Sequence, residues 1–190
     1  MPPKVKVTKE EIILCALELV RKKGAEGLNA RELAAEMGCS TQPIFSNFAG
    51  MEELQTAVAA AAYERYLEFL KKEVESEKYP AYKSFGMAYI RFAREERELF
   101  KLLFMCDRTE KNIDTTQDFE DSVSLIAAAN GISRESAKLV HLEMWSCVHG
   151  IATMHVTSFL SLDWELISNM LSDIYQGLRK NLMEAENECN

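Results

Sequence analysis

The stretch from Leu28 to Leu54 constrains the fold most, because it joins two short helical patterns through a tight turn. Asn29 is placed to cap the first helix, and Glu32, three residues later, is placed to reach back and close a capping box. Apolar residues follow at helical spacing until Gly38, whose lack of a side chain permits the left-handed backbone of a sharp turn. The pattern predicts a helix that ends in a turn and is followed directly by a second helix.

The second helix is expected to be capped by Ser40, with Pro43 in its first turn, where the missing N–H costs no hydrogen bond. Ile44 and Phe48 recur four residues apart and are expected to face inward. The other faces carry mostly small hydrogen-bonding side chains, the kind that contact base edges when a helix lies in a major groove. These are the side chains of Thr41, Gln42, Phe45, Ser46 and Asn47. A two-helix corner of any all-helical protein is the alternative interpretation.

The wider segment Thr8 to Leu54 resembles the N-terminal domain of the TetR/AcrR family of transcriptional regulators. The resemblance rests on ALELVRKKG at the end of the first helix, on RELAAEMGCS, on the aromatic residues Phe45 and Phe48, and on the EEL that opens a long helix. These motifs cover about a quarter of the chain. Thr8 and Glu11 add a capping box at the start of the first helix.

The resemblance implies an all-α fold with two domains. An N-terminal three-helix helix-turn-helix domain, residues 1–50, would bind DNA, and a larger helical domain, residues 51–190, would bind a ligand and dimerise. Two such subunits would place their second helices in successive major grooves of a palindromic double-stranded operator. The expected DNA contacts are Lys4, Lys6, Asn29, Arg31, Ser40, Thr41, Gln42, Pro43, Phe45, Ser46 and Asn47.

Three positions depart from the family pattern. Phe45 and Asn47 stand where the family usually has Tyr and His, and Met51 stands where it usually has Lys. The usual side chains resemble phosphate anchors, so this chain has up to three fewer positioning contacts. Phosphate neutralisation would depend on Arg31, on helix N-termini and on lysines near the N-terminus, which predicts a shallow dependence of operator affinity on salt. Those lysines are Lys4, Lys6 and Lys9.

Composition limits the classes of function. The formal net charge is -8, but residues 1–50 carry +1 and the rest carry -9, so only the first quarter is suited to approach DNA. Five cysteines without a CxxC pair, no apolar leader and no long uncharged run predict a cytoplasmic protein that does not bind membranes. No catalytic or nucleotide-binding motif is present, so we expect no enzyme. The three histidines share no helix face, and we expect neither metal nor cofactor.

Beyond the helix-turn-helix, the helical pattern continues without a breaker to about Glu77 and predicts one long helix. Pro80 marks the next boundary, and a further break is expected near Glu95 and Glu96. The polar, aperiodic segment from Asp107 to Asp118 is expected to be a surface loop. The resemblance implies a pocket for a small apolar or aromatic effector, with a solid core as the alternative. Its expected lining is Phe85, Tyr89, Phe92, Phe100, Phe104, Met105, Trp145 and His149.

Two apolar seams run along the helix that is expected before the last one. Leu142 and Trp145 belong to one seam, and Val140 and Met144 belong to the other. Apolar residues on two faces require burial on two faces, so one face can pack within the subunit while the other needs a partner. The final helix, from Asp163, offers apolar residues that can join this face. A homodimer through the last two helices is therefore expected, in agreement with the resemblance.

Taken together, the residues and the resemblance predict a DNA-binding transcriptional regulator. The most specific form of this prediction is a ligand-responsive homodimeric repressor of TetR type. The alternative is a helical interaction or small-molecule-binding protein in which DNA binding is weakened or lost, as the departures at Phe45, Asn47 and Met51 allow.

Overall fold

The computed structural model describes residues 7–106 and 116–188, with the side chains of residues 116 and 183–188 excepted. The described part of the chain is built from α-helices and short connections, without strands, so the predicted all-α class is confirmed. A short 3-10 helix, Ala25–Gly27, which the sequence patterns did not predict, connects α1 to α2. The α-helices are α1 (Lys9–Lys23), α2 (Ala30–Glu36), α3 (Gln42–Asn47), α4 (Met51–Glu75), α5 (Ala81–Glu95), α6 (Arg97–Phe104), α7 (Thr116–Asn130), α8 (Arg134–Val156) and α9 (Trp164–Glu188).

The ends of α1 follow from local chemistry. The Glu11 N–H donates to the Thr8 hydroxyl (3.1 Å) and the Thr8 N–H donates to the Glu11 carboxylate (2.9 Å), so the predicted capping box is confirmed. At the other end Gly24 takes φ 76°, and its N–H donates to the carbonyl of Val20. Acidic residues in the first turn and basic residues in the last turn complement the helix dipole.

The longer helices largely follow the predicted boundaries. α4 is unbroken from Met51 to Glu75, and α5 begins directly after Pro80 and ends at Glu95. The predicted loop from Asp107 to Asp118 needs a correction, because α7 begins at Thr116 and its last three residues are helical. The remainder of that predicted loop lies outside the described residues.

Contacts divide the chain into two compact units. The N-terminal unit comprises Met1–Leu67 and Glu96–Ile113, and the C-terminal unit comprises Glu68–Glu95 and Asp114–Asn190. α4 therefore begins in one unit and ends in the other, although it is a single helix. These units are defined by packing and do not test the functional boundary predicted at residue 50.

In the N-terminal unit, α1 packs against α2, α3 and α6. The core contains Ile12, Leu19, Leu33, Ile44, Phe48, Leu54 and Leu99, all of which are fully or almost fully buried. The inward position predicted for Ile44 and Phe48 is confirmed. Burial of apolar area of this kind supplies most of the driving force for folding the unit.

In the C-terminal unit, α8 packs against α5, α7 and α9. α8 is capped by Ser133, whose hydroxyl accepts from the Ser136 N–H at 3.0 Å. The side chain of Asp163 accepts from the Leu166 N–H at 2.8 Å and caps α9. The side chains buried in this unit include Met87, Ile90, Phe92, Ile126, Val140, Ile151, Val156 and Ile167.

Candidate nucleic-acid interface

The first half of the helix-turn-helix begins at a side-chain cap. The Oδ1 atom of Asn29 accepts from the N–H groups of Arg31 (3.1 Å) and Glu32 (3.0 Å), as predicted for a helix start. The predicted capping box is not closed, because the Glu32 carboxylate pairs with the ammonium of Lys23 instead. A long-range cation therefore outcompetes the Asn29 backbone N–H for this carboxylate. Arg31 remains exposed on α2 and makes no ion pair with any residue that the structure describes.

The turn between the helices depends on Gly38, which takes φ 63°. α3 begins with Thr41 as its N-cap, not with Ser40 as predicted, and no side chain caps it. Pro43 lies in the first turn and has no N–H, so fewer donors at this end need a side-chain acceptor. Ser40 is an exposed turn residue, and its predicted role in DNA contact stays a prediction.

α3 separates a buried face from an exposed one within six residues. Ile44 is fully buried, whereas 51% of the neighbouring Phe45 is exposed. Gln42 and Ser46 are also exposed, and the Ser46 hydroxyl donates to the carbonyl of Gln42 at 2.8 Å. The Ser46 hydroxyl oxygen keeps lone pairs that can accept from an external donor. α3 thus carries an aromatic side chain, an amide and a hydroxyl on its exposed faces.

Asn47 is used differently from its neighbours on α3. Its amide nitrogen donates to the carbonyl of Pro43 at 2.8 Å and to the carbonyl of Val7 at 3.4 Å. Asn47 therefore joins the end of α3 to the residue that precedes α1. Its side-chain donors are occupied within the subunit, and only the Oδ1 acceptor is available for the DNA contact predicted for this residue.

The end of α3 is also held by Lys9 of α1. The Lys9 ammonium lies 4.7 Å from the centre of the Phe48 ring and 2.7 Å from the Glu53 carboxylate. The same carboxylate accepts from the Ala49 N–H at 2.7 Å. The hydrogen bond from Lys9, followed by that from Ala49, lowers the pKa of Glu53. Lys9 is thus paired within the subunit, so less of its charge is available for the phosphate neutralisation predicted for it. Lys4 and Lys6 lie outside the described residues.

The residues predicted to line an effector pocket fall into both units. Phe100, Phe104 and Met105 belong to the N-terminal unit, where the Phe100 and Phe104 rings lie 5.2 Å apart. Phe100 is fully buried and Met105 is 41% exposed. The other five predicted residues belong to the C-terminal unit. They are Phe85, Tyr89, Phe92, Trp145 and His149.

Two tyrosine–histidine pairs connect α5 and α8 in the C-terminal unit. The Tyr82 hydroxyl lies 3.0 Å from His141 Nδ1, and the Tyr89 hydroxyl lies 2.9 Å from His149 Nδ1. The Trp145 ring stacks on His149 with centroids 5.1 Å apart. Burial lowers the pKa values of His141 and His149, and it raises the pKa of Tyr82. The pairs satisfy polar groups at the helix contact and place an imidazole, a hydroxyl and an indole together.

His155, the third histidine of α8, has a different environment. Its Nε2 atom is buried and has no hydrogen-bond partner among the described residues. Burial and, to a smaller degree, the positive charge of Arg94 lower the pKa of His155.

A shallow surface recess lies between α7, α8 and α9 of the C-terminal unit, and it encloses essentially no free volume. Pockets that hold drug-sized ligands enclose about 300–1,000 Å³, so this recess is not such a pocket. None of its lining residues belongs to the predicted effector set, which stays a prediction. The lining is Ile126, Asn130, Ile132, Val140, Tyr175 and Arg179.

One face of α8 carries large apolar side chains that the subunit does not cover. Leu139, Leu142 and Trp145 are between 43% and 50% exposed, and Leu166 of α9 is 44% exposed. The opposite seam, with Val140 and Met144, is buried in the subunit. The uncovered face predicted for α8 is therefore found at Leu142 and Trp145, whereas Ala152 and Val156, farther along the same predicted seam, are buried within the subunit. Leu139 was not singled out in the sequence, although its position three residues before Leu142 places both on one helix face.

Comparison with known proteins finds a family that is similar to part of this chain. Residues 82–171, just under half of the chain, match the family described as Tetracyclin repressor-like, C-terminal domain. This segment therefore resembles the C-terminal domain of TetR-type proteins. No curated protein matches the chain.

Solved structures agree with this TetR fold over nearly the whole chain. A protein of unknown function from Rhodococcus sp. RHA1 is 21% identical, with a TM-score of 0.72 over 95% of this chain and 98% of that one. A TetR-family member from Streptomyces coelicolor A3 is 18% identical, with a TM-score of 0.63 over 87% and 96%. TetR from Acinetobacter baumannii AYE in complex with minocycline is 20% identical, with a TM-score of 0.52 over 96% and 98%. The chain thus has the fold of TetR-type regulators.

The described helices contain no segment that is long and apolar enough to cross a membrane. Within the same residues, no group of three or more His, Cys, Asp or Glu side chains is arranged to hold a metal ion.

Proposed function

We propose that this protein is a TetR-type regulator, a homodimeric, DNA-binding repressor that a small ligand releases from its operator. The observation that carries the proposal is the division of α3 into a buried face around Ile44 and an exposed face with Gln42, Phe45 and Ser46. A short helix anchored by one face can present the other to the major groove, where amide and hydroxyl groups contact base edges. The cytoplasm is the expected place of action.

The apolar face of α8 supports the homodimer. Leu139, Leu142 and Trp145 are exposed in the subunit, and Leu166 of α9 is exposed as well. A two-fold axis lets the same patch cover itself in a second copy. Leu142→Glu would bury a charge in that interface and should convert the dimer to a monomer in sedimentation velocity. Leu14→Glu is the control, because Leu14 is 61% exposed but lies on α1. A dimer that survives Leu142→Glu would exclude this interface.

Release by a ligand would be a shift of population between two states of the dimer. A ligand that binds more tightly to a state with mismatched half-site spacing lowers operator affinity by the ratio of its two affinities. The TetR from A. baumannii was solved with minocycline, which supports a small effector for the present chain. The aromatic and histidine groups around Tyr89 and His149 favour an apolar or aromatic effector with a hydrogen-bonding group.

Selection from random double-stranded DNA tests the proposal most directly. A dimeric repressor should enrich a palindrome whose half-sites are about 10 base pairs apart, centre to centre. Phe45→Ala should reduce binding to the selected duplex, whereas Leu14→Ala, on the exposed surface of α1, should not. Candidate effectors are then tested by adding each one and measuring how much it lowers the affinity of the protein for this duplex. Enrichment of unrelated sequences without symmetry would refute a dimeric operator-binding protein.

A second candidate function is a small-molecule-binding or interaction protein without DNA binding. The observation in its favour is that two groups suited to DNA contact, the amide nitrogen of Asn47 and the ammonium of Lys9, are bonded within the subunit. This candidate predicts that the selection enriches no sequence while aromatic ligands still raise the melting temperature. The same two experiments therefore separate the candidates.

A further inference from the structure

A buried carboxylate occupies the start of α6 in the N-terminal unit. Glu96 is only 5% exposed, and it is the residue between the end of α5 and the first residue of α6. Its backbone carbonyl accepts from the Phe100 N–H at 2.8 Å, whereas its side chain makes no capping hydrogen bond to α6. A buried charge requires close partners, because burial removes it from water. Those partners come from other helices.

Two guanidinium groups bind this carboxylate. Arg21, in the last turn of α1, donates through Nε to Oε2 at 2.7 Å and through its terminal nitrogen to Oε1 at 3.0 Å. Arg65, on α4, donates to Oε1 through two nitrogens at 3.3 Å. The paired geometry with Arg21 fixes orientation as well as distance, because both the guanidinium and the carboxylate are planar. Glu96 thus joins α1, α4 and α6 through one side chain.

The end of α1 approaches α6 at a second point. Gly24, which ends α1, takes φ 76°, and a Cβ atom there would lie 3.1 Å from the Glu98 carboxylate. The helix-turn-helix follows this point closely, since α2 begins at Ala30. The direction in which α1 ends therefore affects where α2 and α3 lie within the unit.

The ion cluster also lies next to two places where the chain passes between the compact units. One passage is between residues 67 and 68 of α4, and the other is between residues 95 and 96. Arg65 precedes the first passage by two residues, and Glu96 is the first residue after the second.

We propose that Glu96 is a positioning residue for the helix-turn-helix. By holding Arg21 and Arg65 in one arrangement, it fixes the end of α1 relative to α4 and α6 and so sets the orientation in which α3 is presented. This inference rests on the proposed DNA-binding function. It goes beyond that function because part of the DNA affinity would depend on a buried side chain that does not itself contact DNA.

The sign of the affinity change distinguishes positioning from simple electrostatics. Glu96→Gln removes one negative charge, which by Coulomb attraction alone should strengthen binding to phosphate. Loss of positioning acts in the opposite direction, and residues that act through such networks change affinity by about 2- to 30-fold. We expect Glu96→Gln to weaken binding about tenfold, in the upper part of that range.

Glu18→Gln is the matched control. Glu18 accepts from the same Arg21 at 2.7 Å, but its side chain is 51% exposed and it belongs to α1 itself. The Glu18→Gln variant loses the same charge as Glu96→Gln but keeps the contacts to α4 and α6. Its affinity for the duplex should therefore equal or exceed that of the wild type. Arg21→Lys is a milder second variant, because it keeps the charge and loses the paired geometry; it should weaken binding less than Glu96→Gln.

The experiment uses the full-length chain and the duplex selected from random DNA, at a temperature where every variant is folded. Fluorescence anisotropy gives the affinities, and hydrogen exchange gives the protection of individual helices. Glu96→Gln should speed exchange in the last turn of α1 and the first turn of α6 while α8 is unchanged. Equal or tighter duplex binding by both Glu96→Gln and Arg21→Lys would overturn the proposal, as would unchanged exchange in α1. If the wild type selects no duplex, the DNA-binding function fails, and the exchange data alone decide whether Glu96 fixes α1.

Discussion

Two adjacent residues of α3 should separate stability from DNA binding. Ile44 is fully buried and is the only buried residue within the six residues of α3, whereas 51% of Phe45 is exposed. Ile44→Ala removes three carbons from the core, worth about 2.4 kcal/mol in transfer free energy at roughly 0.8 kcal/mol each. The cavity left behind adds to this, so the free energy of unfolding should fall by about 3 kcal/mol.

Phe45→Ala should have the opposite profile. Because half of the ring is already in water, its loss should lower the free energy of unfolding by about 1 kcal/mol or less. In the proposed function the exposed ring contacts DNA, and truncation of such a contact should cost about tenfold in affinity. The two substitutions are one residue apart and both end in alanine, so helix propensity changes little between them.

Urea unfolding followed by far-ultraviolet circular dichroism measures the stability of each variant. Tryptophan fluorescence is unsuitable for following the unfolding of the N-terminal unit, because both tryptophans, Trp145 and Trp164, belong to the C-terminal unit. Fluorescence anisotropy with the selected duplex measures DNA affinity at low temperature in the absence of urea. The reasoning is refuted if Phe45→Ala destabilises the protein as much as Ile44→Ala does, or if Phe45→Ala binds DNA like the wild type.

Three further predictions concern pH, backbone strain and salt. Burial lowers the pKa values of His141 and His149 below 6.5, so the unfolded chain takes up these protons first. Stability should be complete above about pH 6.5 and fall as the pH drops toward the folded-state pKa values, and His149→Gln should flatten this fall in urea titrations. Gly24→Ala should cost about 1–2 kcal/mol in thermal unfolding because of its positive φ, and more than Gly38→Ala, which shares the positive φ but has open space where Gly24 meets the Glu98 carboxylate. Arg31→Gln should weaken binding to all duplexes alike and reduce the slope of log affinity against log salt by about 1 per subunit; an unchanged slope would remove Arg31 from the phosphate contacts.

The parts of the fold that were predicted correctly depend on short-range chemistry. The capping box of Thr8, the Asn29 cap and the positive φ of Gly38 all involve groups within a few residues of each other. One error arose where a group from the preceding helix intervened. Glu32 was expected to cap α2, but Lys23 from α1 takes its carboxylate.

The predicted DNA-contacting set was found on exposed or partly exposed positions of α2, α3 and the turn, as far as those residues are described. Its members differ in ways that the residue types did not reveal. Gln42 and Phe45 are exposed, whereas the Asn47 amide bonds Val7, which is 40 residues away in the chain. The effector set was chosen by residue type and helical spacing, and the two compact units divide it.

The sequence by itself determined the helices, the turn and the two-faced character of α8, because hydrophobic periodicity, glycine, proline and caps act within one or two helical turns. Only the tertiary structure decided which charges and polar groups meet. Arg21 and Glu96 are 75 residues apart, and Tyr89 and His149 are 60 apart. No local pattern encodes these partners, since a buried charge or imidazole is satisfied by whichever group the packing of distant helices brings within hydrogen-bonding distance.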